Sequence, residues 1–248
     1  MIHMLLTVWT FFAGCADSPA TAERHYDAGD DSSAVRILER TVRDEPDCSE
    51  ALWKLAYVRL AEANREPLLA KRTALWRLGR NLSDQAIIKF PRSGGAWFAS
   101  ALALGVESTI SNAKRRVELS KILRERVGRA LTLDPSLPGG WYLLAKWHEG
   151  LSSLNLAERG FANLLLGGLP KGASDDSARA YLGRALTLRP DDPLLLLELA
   201  RNLERAKLRT QALAVCRRAN GLGRSAPGDR KNLEDIASLR RKLESMGS

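Results

Sequence analysis

The sequence predicts an all-α chain in which antiparallel helical hairpins stack into a right-handed α-α superhelix, an extended solenoid rather than a globule. Three observations carry this expectation. The composition is rich in Ala, Leu, Arg and Glu and poor in the β-branched and aromatic residues that strands prefer. A pattern of small and larger apolar residues recurs along the chain. Gly and Pro breakers separate segments whose apolar residues fall at i, i+3 and i+4, the signature of one buried helix face.

The recurrence is specific in its spacing. Ala34, Leu38, Thr41 and Pro46 return at the same intervals as Ala178, Leu182, Ala185 and Pro190, and Ala212, Cys216 and Ala219 repeat the first three positions. Small residues let two helices approach closely, the larger residue fills the gap, and proline stops the hairpin. This resembles the second helix of a tetratricopeptide repeat. The matching first helices follow the prolines: Ala51-Leu52 with Leu55-Ala56, Ala96-Trp97, Trp141 with Leu144-Ala145, and Leu196 with Leu199-Ala200. Prolines 46, 91, 135 and 190 are 45, 44 and 55 residues apart. A plain tetratricopeptide array repeats every ~34 residues, so the expected solenoid is degenerate, with longer helices or extra turns in its middle units.

Taken in order, helices are expected near 20–28, 31–44, 48–63, 67–89, 94–111, 113–133, 138–150, 154–166, 174–188, 193–206, 208–221 and 228–245. The breakers between them are Gly29-Asp30, Pro67, Pro91 with Gly94-Gly95, Gly139-Gly140, Gly167 to Gly172, Pro193 and Gly221 to Gly228. Ser174 or Asp175 can cap one helix start, and Asp191 or Asp192 another. Leu194 to Leu197 is apolar all round for one turn and belongs between neighbouring hairpins. The last segment, with Leu233, Ile236, Leu239 and Leu243, reads as a capping helix with a charged outer side.

The N-terminus reads differently. Residues 1–19 carry no Lys, Arg, Asp or Glu before Asp17, and the apolar run from Met4 to Ala13 is too short to span a bilayer but fits a signal-peptide core. Phe12-Ala13-Gly14-Cys15 resembles a bacterial lipobox, although Phe12 replaces the usual Leu and no basic residue precedes the run. Lipidation on Cys15 is the expectation, giving membrane attachment without a spanning helix. The expected organisation is therefore a lipoprotein-type signal segment and short linker over 1–19, then one tetratricopeptide-like domain over 20–248. Three cysteines are too few for a disulfide scaffold. Cys48 lies in a predicted turn and Cys216 on a buried face, and the two are not expected to pair.

ALTLDP, WYLLAKWHEG, FANLLLGGLPKGAS and ARAYLGRALTLRPDDPLLLLELA, in that order, resemble the regulator-of-microtubule-dynamics family and its bacterial tetratricopeptide-like relatives. The carriers are the tryptophan of the Ala145-Lys146-Trp147 helix, the Gly167-Gly168-Leu169-Pro170 break, and the spacing to the next repeat. The resemblance covers about Ala51 to Leu243 and implies an architecture, not a catalytic site. The eukaryotic members imply a cytoskeletal or membrane-tethering role, from which this N-terminus departs.

No catalytic constellation emerges. His25 and His148 are the only histidines after the signal segment, and there is no His-x-x-x-His or Cys-x-x-Cys spacing for a transition metal. Neither Gly167 to Gly172 nor Gly221-x-Gly223 follows a strand, so phosphate-loop and dinucleotide readings fall away. No Gly-x-Ser-x-Gly elbow occurs. His148-Glu149 could tempt an acid–base reading, but a histidine near a helix end, facing the negative end of the dipole, explains it more simply.

The charge feature that stands out is KRRVELSKILRERVGR, Lys114 to Arg129, with seven basic and two acidic residues in a chain of net charge +9. Lys114, Arg115 and Arg116 are candidates for an acidic partner or an anionic membrane surface. Nucleic acid is not expected, because the aromatics sit at core positions rather than among exposed basic residues. Trp97 and Trp141 share one repeat position and belong to the core. Trp147 follows Trp141 by six residues, about 240° round the helix. It either packs against the next hairpin or lines the concave groove, and with His148 it is the candidate partner contact. The expected function is a non-catalytic scaffold with no cofactor, binding a protein or peptide in its concave groove and facing the periplasm of a bacterial envelope. The alternatives are a carrier holding a lipid or small apolar ligand near Leu164 to Leu166 and Trp147, and a cytosolic tether.

Overall fold

The computed structural model describes Cys15, residues 17–153, Gly160, residues 172–222 and residues 228–246. The apolar run from Met4 to Ala13, the expected helix near 154–166 and most of the following glycine-proline break lie outside the described residues. Among those described there are eleven helices: α1 (Ser18–Asp27), α2 (Asp31–Asp44), α3 (Ser49–Arg65), α4 (Leu69–Lys89), α5 (Gly94–Thr109), α6 (Ala113–Leu133), α7 (Pro138–Ser152), α8 (Asp175–Leu188), α9 (Pro193–Arg205), α10 (Arg209–Arg218) and α11 (Asp229–Ser245). No strand occurs among the described residues. The expected tetratricopeptide-like, all-α architecture is what the chain adopts.

Hairpins form where the small residues allow them. Ala34, Ala178, Ala185 and Ala212 are fully buried, and Leu38, Leu182 and Cys216 fill the spaces between. Each buried Leu contributes roughly 1.5–3 kcal/mol over leaving it in water. The pairs are α1/α2, α3/α4, α5/α6, α7/α8 and α9/α10, with α11 packed on both helices of the last pair. The fourth pair explains the long 55-residue interval between Pro135 and Pro190. The partner of α7 is α8, so the interval from Pro135 to Pro190 spans a single described pair.

Most helix starts are closed by a side chain. Asp30 accepts from the Ser33 N–H, Ser93 from Ala96, Asn112 from Arg115, Ser174 from Ser177, and Asp192 from both Leu194 and Leu195. Each such cap is worth about 1 kcal/mol. Gly29, with φ of +82°, turns the chain between α1 and α2 in a conformation that favours glycine.

Gly94-Gly95 and Gly139-Gly140 do more than break the chain, because they lie in the first turns of α5 and α7. A Cβ on Gly95 would fall 2.3 Å from Trp53, and one on Gly139 would fall 2.5 Å from Phe98. Glycine here lets an aromatic ring of the preceding first helix rest against the backbone. The same register repeats the indole hydrogen bonds: Trp97 Nε1 donates to the Pro91 carbonyl and Trp141 Nε1 to that of Pro135, both at 2.9 Å.

The first helices touch in series, α1 on α3, α3 on α5 and α5 on α7, whereas each second helix packs mainly on first helices. A layer whose members touch is the inner side of a curve, and a layer whose members stand apart is the outer side. Helices α1, α3, α5, α7 and α9 therefore present the inner face, and α2, α4, α6, α8 and α10 the outer.

Candidate functional site

The inner face carries two clusters of charged side chains. The first joins α1 to α3 and to the loop after α8. Lys54 Nζ on α3 is 2.6 Å from Glu23 Oε2 and 2.7 Å from Glu50 Oε1. Arg189, just past α8, places Nη2 3.1 Å from Asp27 Oδ2 and 3.5 Å from Glu23 Oε1 on α1. Burial opposes the charge on Lys54, but the hydrogen bonds it donates to Glu23 and Glu50 outweigh it and raise the pKa. Burial raises the pKa of Asp27 despite the neighbouring Arg189. Tyr26 and Tyr57 stack edge to face beside this cluster, with ring centroids 5.5 Å apart.

The second cluster lies on α7 and α9. Lys146 Nζ is 2.8 Å from Glu149 Oε2 and 2.5 Å from Glu198 Oε2. Arg205 Nη2 is 2.5 Å from Glu149 Oε1, and Arg201 bridges Glu198 at 3.1 Å and Asp235 at 2.9 Å. Both Glu149 and Glu198 are buried. Fully buried Asn202 ties the cluster to α8 through Glu149 Oε1, the Asp175 carbonyl and Arg179. Burial alone would raise the Glu149 pKa, but Lys146 and Arg205 bring it below the ordinary value. The Lys146 ammonium is held strongly protonated, burial being outweighed by Glu198 and Glu149. Burial, reinforced by Glu198, lifts the Tyr142 phenol to about 12.

Chemically, these groups neutralise one another, and they form no nucleophile paired with a base. No group of His, Cys, Asp or Glu among the described residues could hold a metal ion. Lys146, Arg201 and Arg205 stay about two-fifths exposed while anchored to buried carboxylates, so they present fixed, outward-facing donors.

Several candidates from the sequence stand elsewhere. Trp147 does not line the groove. It is 6% exposed, its indole N–H donates to the Ser120 carbonyl of α6 at 2.8 Å, and the Arg124 guanidinium covers its ring at 4.7 Å. It locks α7 onto the preceding hairpin. His148 is buried too, between Trp147 and Tyr181. Its Nδ1 accepts from the Ser174 N–H at 3.3 Å, which leaves the ring proton on Nε2. Burial, then the charge of Arg124, lowers its pKa. A neutral imidazole gains nothing from the helix dipole, so that explanation is replaced by packing and the Ser174 bond. Lys114, Arg115 and Arg116 are exposed on the outer helix α6, and Arg115 pairs with Glu107 at 2.8 Å and Glu118 at 3.2 Å. The structure does not bring the predicted basic and aromatic candidates into one site.

Cys15 is joined to Cys48 in a disulfide, with Cα atoms 5.2 Å apart. A lipid thioether needs the same sulfur, so the lipidation expected on Cys15 and this bond exclude one another, and the described chain has the bond. Cys216 is free and buried. No described helix is long and apolar enough to cross a membrane. A shallow, open depression of about 450 Å³ between the α3 and α5 starts is lined by Ser49, Phe90, Pro91 and Ser93, far from an enclosed apolar cavity in character. The carrier alternative centred on Leu164 to Leu166 falls outside the described residues.

Paired helices in this register, with small residues at the crossings and an inner face of fixed polar groups, define a tetratricopeptide-like helical repeat protein. Comparison with known proteins agrees. The model of the family described as "Regulator of microtubule dynamics protein 1-3" matches residues 20–244, and the chain belongs to that family. It is 24% identical to human "Regulator of microtubule dynamics protein 2" over 150 residues, 60% of this chain and 35% of the human protein. The bovine counterpart is 23% identical over 105 residues, 42% of this chain and 26% of that protein. The chain thus spans about a third or less of the length of these curated relatives. Among solved structures, a thermophilic tetratricopeptide protein of Thermus thermophilus superposes with a TM-score of 0.62 at 19% identity, covering 90% of this chain and 97% of that one.

Proposed function

We propose that this protein is a non-catalytic scaffold that recognises a peptide or helix of a partner protein along its inner face. The observation that carries the reading is the α7–α9 cluster, where Lys146, Arg201 and Arg205 are held in fixed positions by buried Glu149 and Glu198 while their outer atoms remain accessible. Preformed donors lower the ordering cost of binding. They fit a segment with carboxylates or backbone carbonyls.

The location we infer is the periplasm-facing side of a bacterial envelope. The Cys15–Cys48 bond supports an oxidising compartment, and the residues before it have the pattern of an export signal. Acylation of Cys15 is the competing fate of that sulfur. The intact mass of the chain isolated from envelopes separates the two, since an acylated chain starting at Cys15 carries the mass of its lipid whereas the disulfide only removes two hydrogens.

The test of the scaffold reading compares the wild type with a chain carrying Arg201→Glu and Arg205→Glu. A photo-crosslinker placed at Tyr142 should join the wild type to a discrete partner and lose that product in the double variant. Identical crosslinks from both, or none from either, would sink the proposal. Family membership supports a second reading, a cytoskeletal or membrane tether. Cosedimentation of the purified chain with polymerised tubulin tests it, and recovery in the supernatant alone counts against it.

A further inference from the structure

Helices α4 and α6 carry twelve Lys and Arg against three Asp and Glu, a net +9, so the rest of the chain has as many acidic as basic residues. All of the net charge therefore sits on two helices. Both pack on α5 from its outer side, and the Arg126 guanidinium on α6 approaches Asp84 of α4 at 3.9 Å, so they form one surface. Several of the cations are satisfied within the protein: Arg80 by Asp84 and Glu107, and Arg115 by Glu107 and Glu118. Lys71, Arg77, Lys114, Arg116 and Arg129 are exposed on the same surface.

The second observation is independent of charge. Among the described residues, five of the six exposed large apolar side chains lie on these helices or the entry to α4: Leu68, Leu69, Leu78, Ile88 and Ile122. Ile88 is 82% exposed and Leu69 64%. On α4 the exposed positions Lys71, Ala74, Leu78, Asn81, Gln85 and Ile88 follow helical spacing, opposite buried Gly79, Ser83 and Ala86. The burial pattern thus aims Leu78 and Ile88 away from the protein, among cations.

We propose that the outer face of α4 and α6 docks on a membrane surface containing anionic lipid. Cations on a surface are drawn to a negatively charged leaflet, and protruding aliphatic side chains gain by entering the acyl boundary. Neither nucleic acid nor an acidic peptide gives Ile88 and Leu78 an apolar medium, and no Trp, Tyr or Phe is among the exposed large apolar residues to stack on bases. This docking does not depend on the inner face or on Cys15. It leaves the groove turned away from the lipid and free for a partner.

The test uses purified full chain whose intact mass shows no acyl group. It is sedimented with vesicles of phosphatidylcholine alone or of phosphatidylcholine with phosphatidylglycerol. Binding is expected only to the second, and it should fall as salt rises beyond the range where surface charges interact freely. Lys71→Glu, Arg77→Glu and Arg116→Glu together should weaken it at least about tenfold. Leu78→Ser with Ile88→Ser should weaken it several-fold, with unchanged circular dichroism because these side chains face outward. Equal binding to both vesicles, no binding to either, or no loss in the charge variant overturns the proposal. So does a serine variant that binds as the wild type does, since the face would then be a general polyanion site, as competition by inorganic polyphosphate would show.

Discussion

Arg189 Nη2 lies 3.1 Å from Asp27 Oδ2, although 162 residues separate the two in sequence. With the Glu23 contact on the same guanidinium, this pair brings the first helix against the loop that opens the last repeat. The superhelix closes on itself at that point. Arg189→Glu should therefore open the curve, and small-angle scattering should show a larger radius of gyration with unchanged helix content. An unaltered radius would mean that the closure is held by packing alone.

The two ends of the inner face should respond to pH with opposite sign. Burial raises the pKa of Asp27, so the folded state holds its proton more tightly than the unfolded chain does. Its contribution to stability is complete below the unfolded value and is lost as pH rises through the folded one. Glu149 has a lowered pKa, so its contribution is present above the unfolded value and is lost as pH falls through the folded one. Asp27→Asn, which keeps an acceptor for Arg189 without the buried charge, should leave the melting temperature at neutral pH unchanged or higher. Glu149→Gln should lower it, and that loss should shrink in acid. Thermal melts of the two variants across the carboxylate range check both signs.

The Cys15–Cys48 bond closes a loop with a sequence separation of 33 residues around α1 and α2. Loop-closure entropy puts an upper figure of about 3–4 kcal/mol on its effect. α1 itself buries only Pro19 and Ala22, so without the bond this helix is held by its packing on α2, the Tyr26–Tyr57 contact and its ion pairs. Reduction, or Cys48→Ser, should raise amide exchange in α1 and α2 and leave α9 to α11 unchanged. Cys216→Ser should not alter the response to reductant.

The hairpins are legible in the sequence because their information is local. Small residues at fixed intervals, a proline stop and a capping Ser174 or Asp192 all act within a few residues of one another. The pairs that shape the inner face are not local. Cys15–Cys48 and Lys146–Glu198 depend on how neighbouring repeats stack, and Arg189–Asp27 on the curvature of the whole array, and no periodicity encodes either. Trp147 shows a different limit. Its angular offset from Trp141 does point it away from the first core face, but a first helix buries two faces, one on its own partner and one on the preceding hairpin. The 240° offset therefore leads to a second core contact, at Ser120, and not to the groove. Lys146 and Glu149 flank Trp147 and His148 at i, i+3 spacing, and that charged pair is the local signal of the cluster.

The glycine pairs give the most local test of the stacking geometry. Gly95 and Gly139 sit where Cβ atoms would fall 2.3 Å from Trp53 and 2.5 Å from Phe98, distances at which a ring or a helix has to move. Each ring is also packed among neighbours, Trp53 edge-on to Phe98 at 6.3 Å between centroids, so displacement is costly. Gly95→Ala and Gly139→Ala should each destabilise the chain by about 1–3 kcal/mol, the usual penalty of overpacking. Gly128, on the exposed side of α6, has nothing within 4 Å of its Cβ position. Gly128→Ala should instead stabilise by about 0.5–1 kcal/mol, because only the backbone preference of the helix changes. Denaturant melts of the three variants would show one sign at Gly128 and the other at Gly95 and Gly139. Stabilisation by all three would mean that the inner helices are not in ring-on-backbone contact.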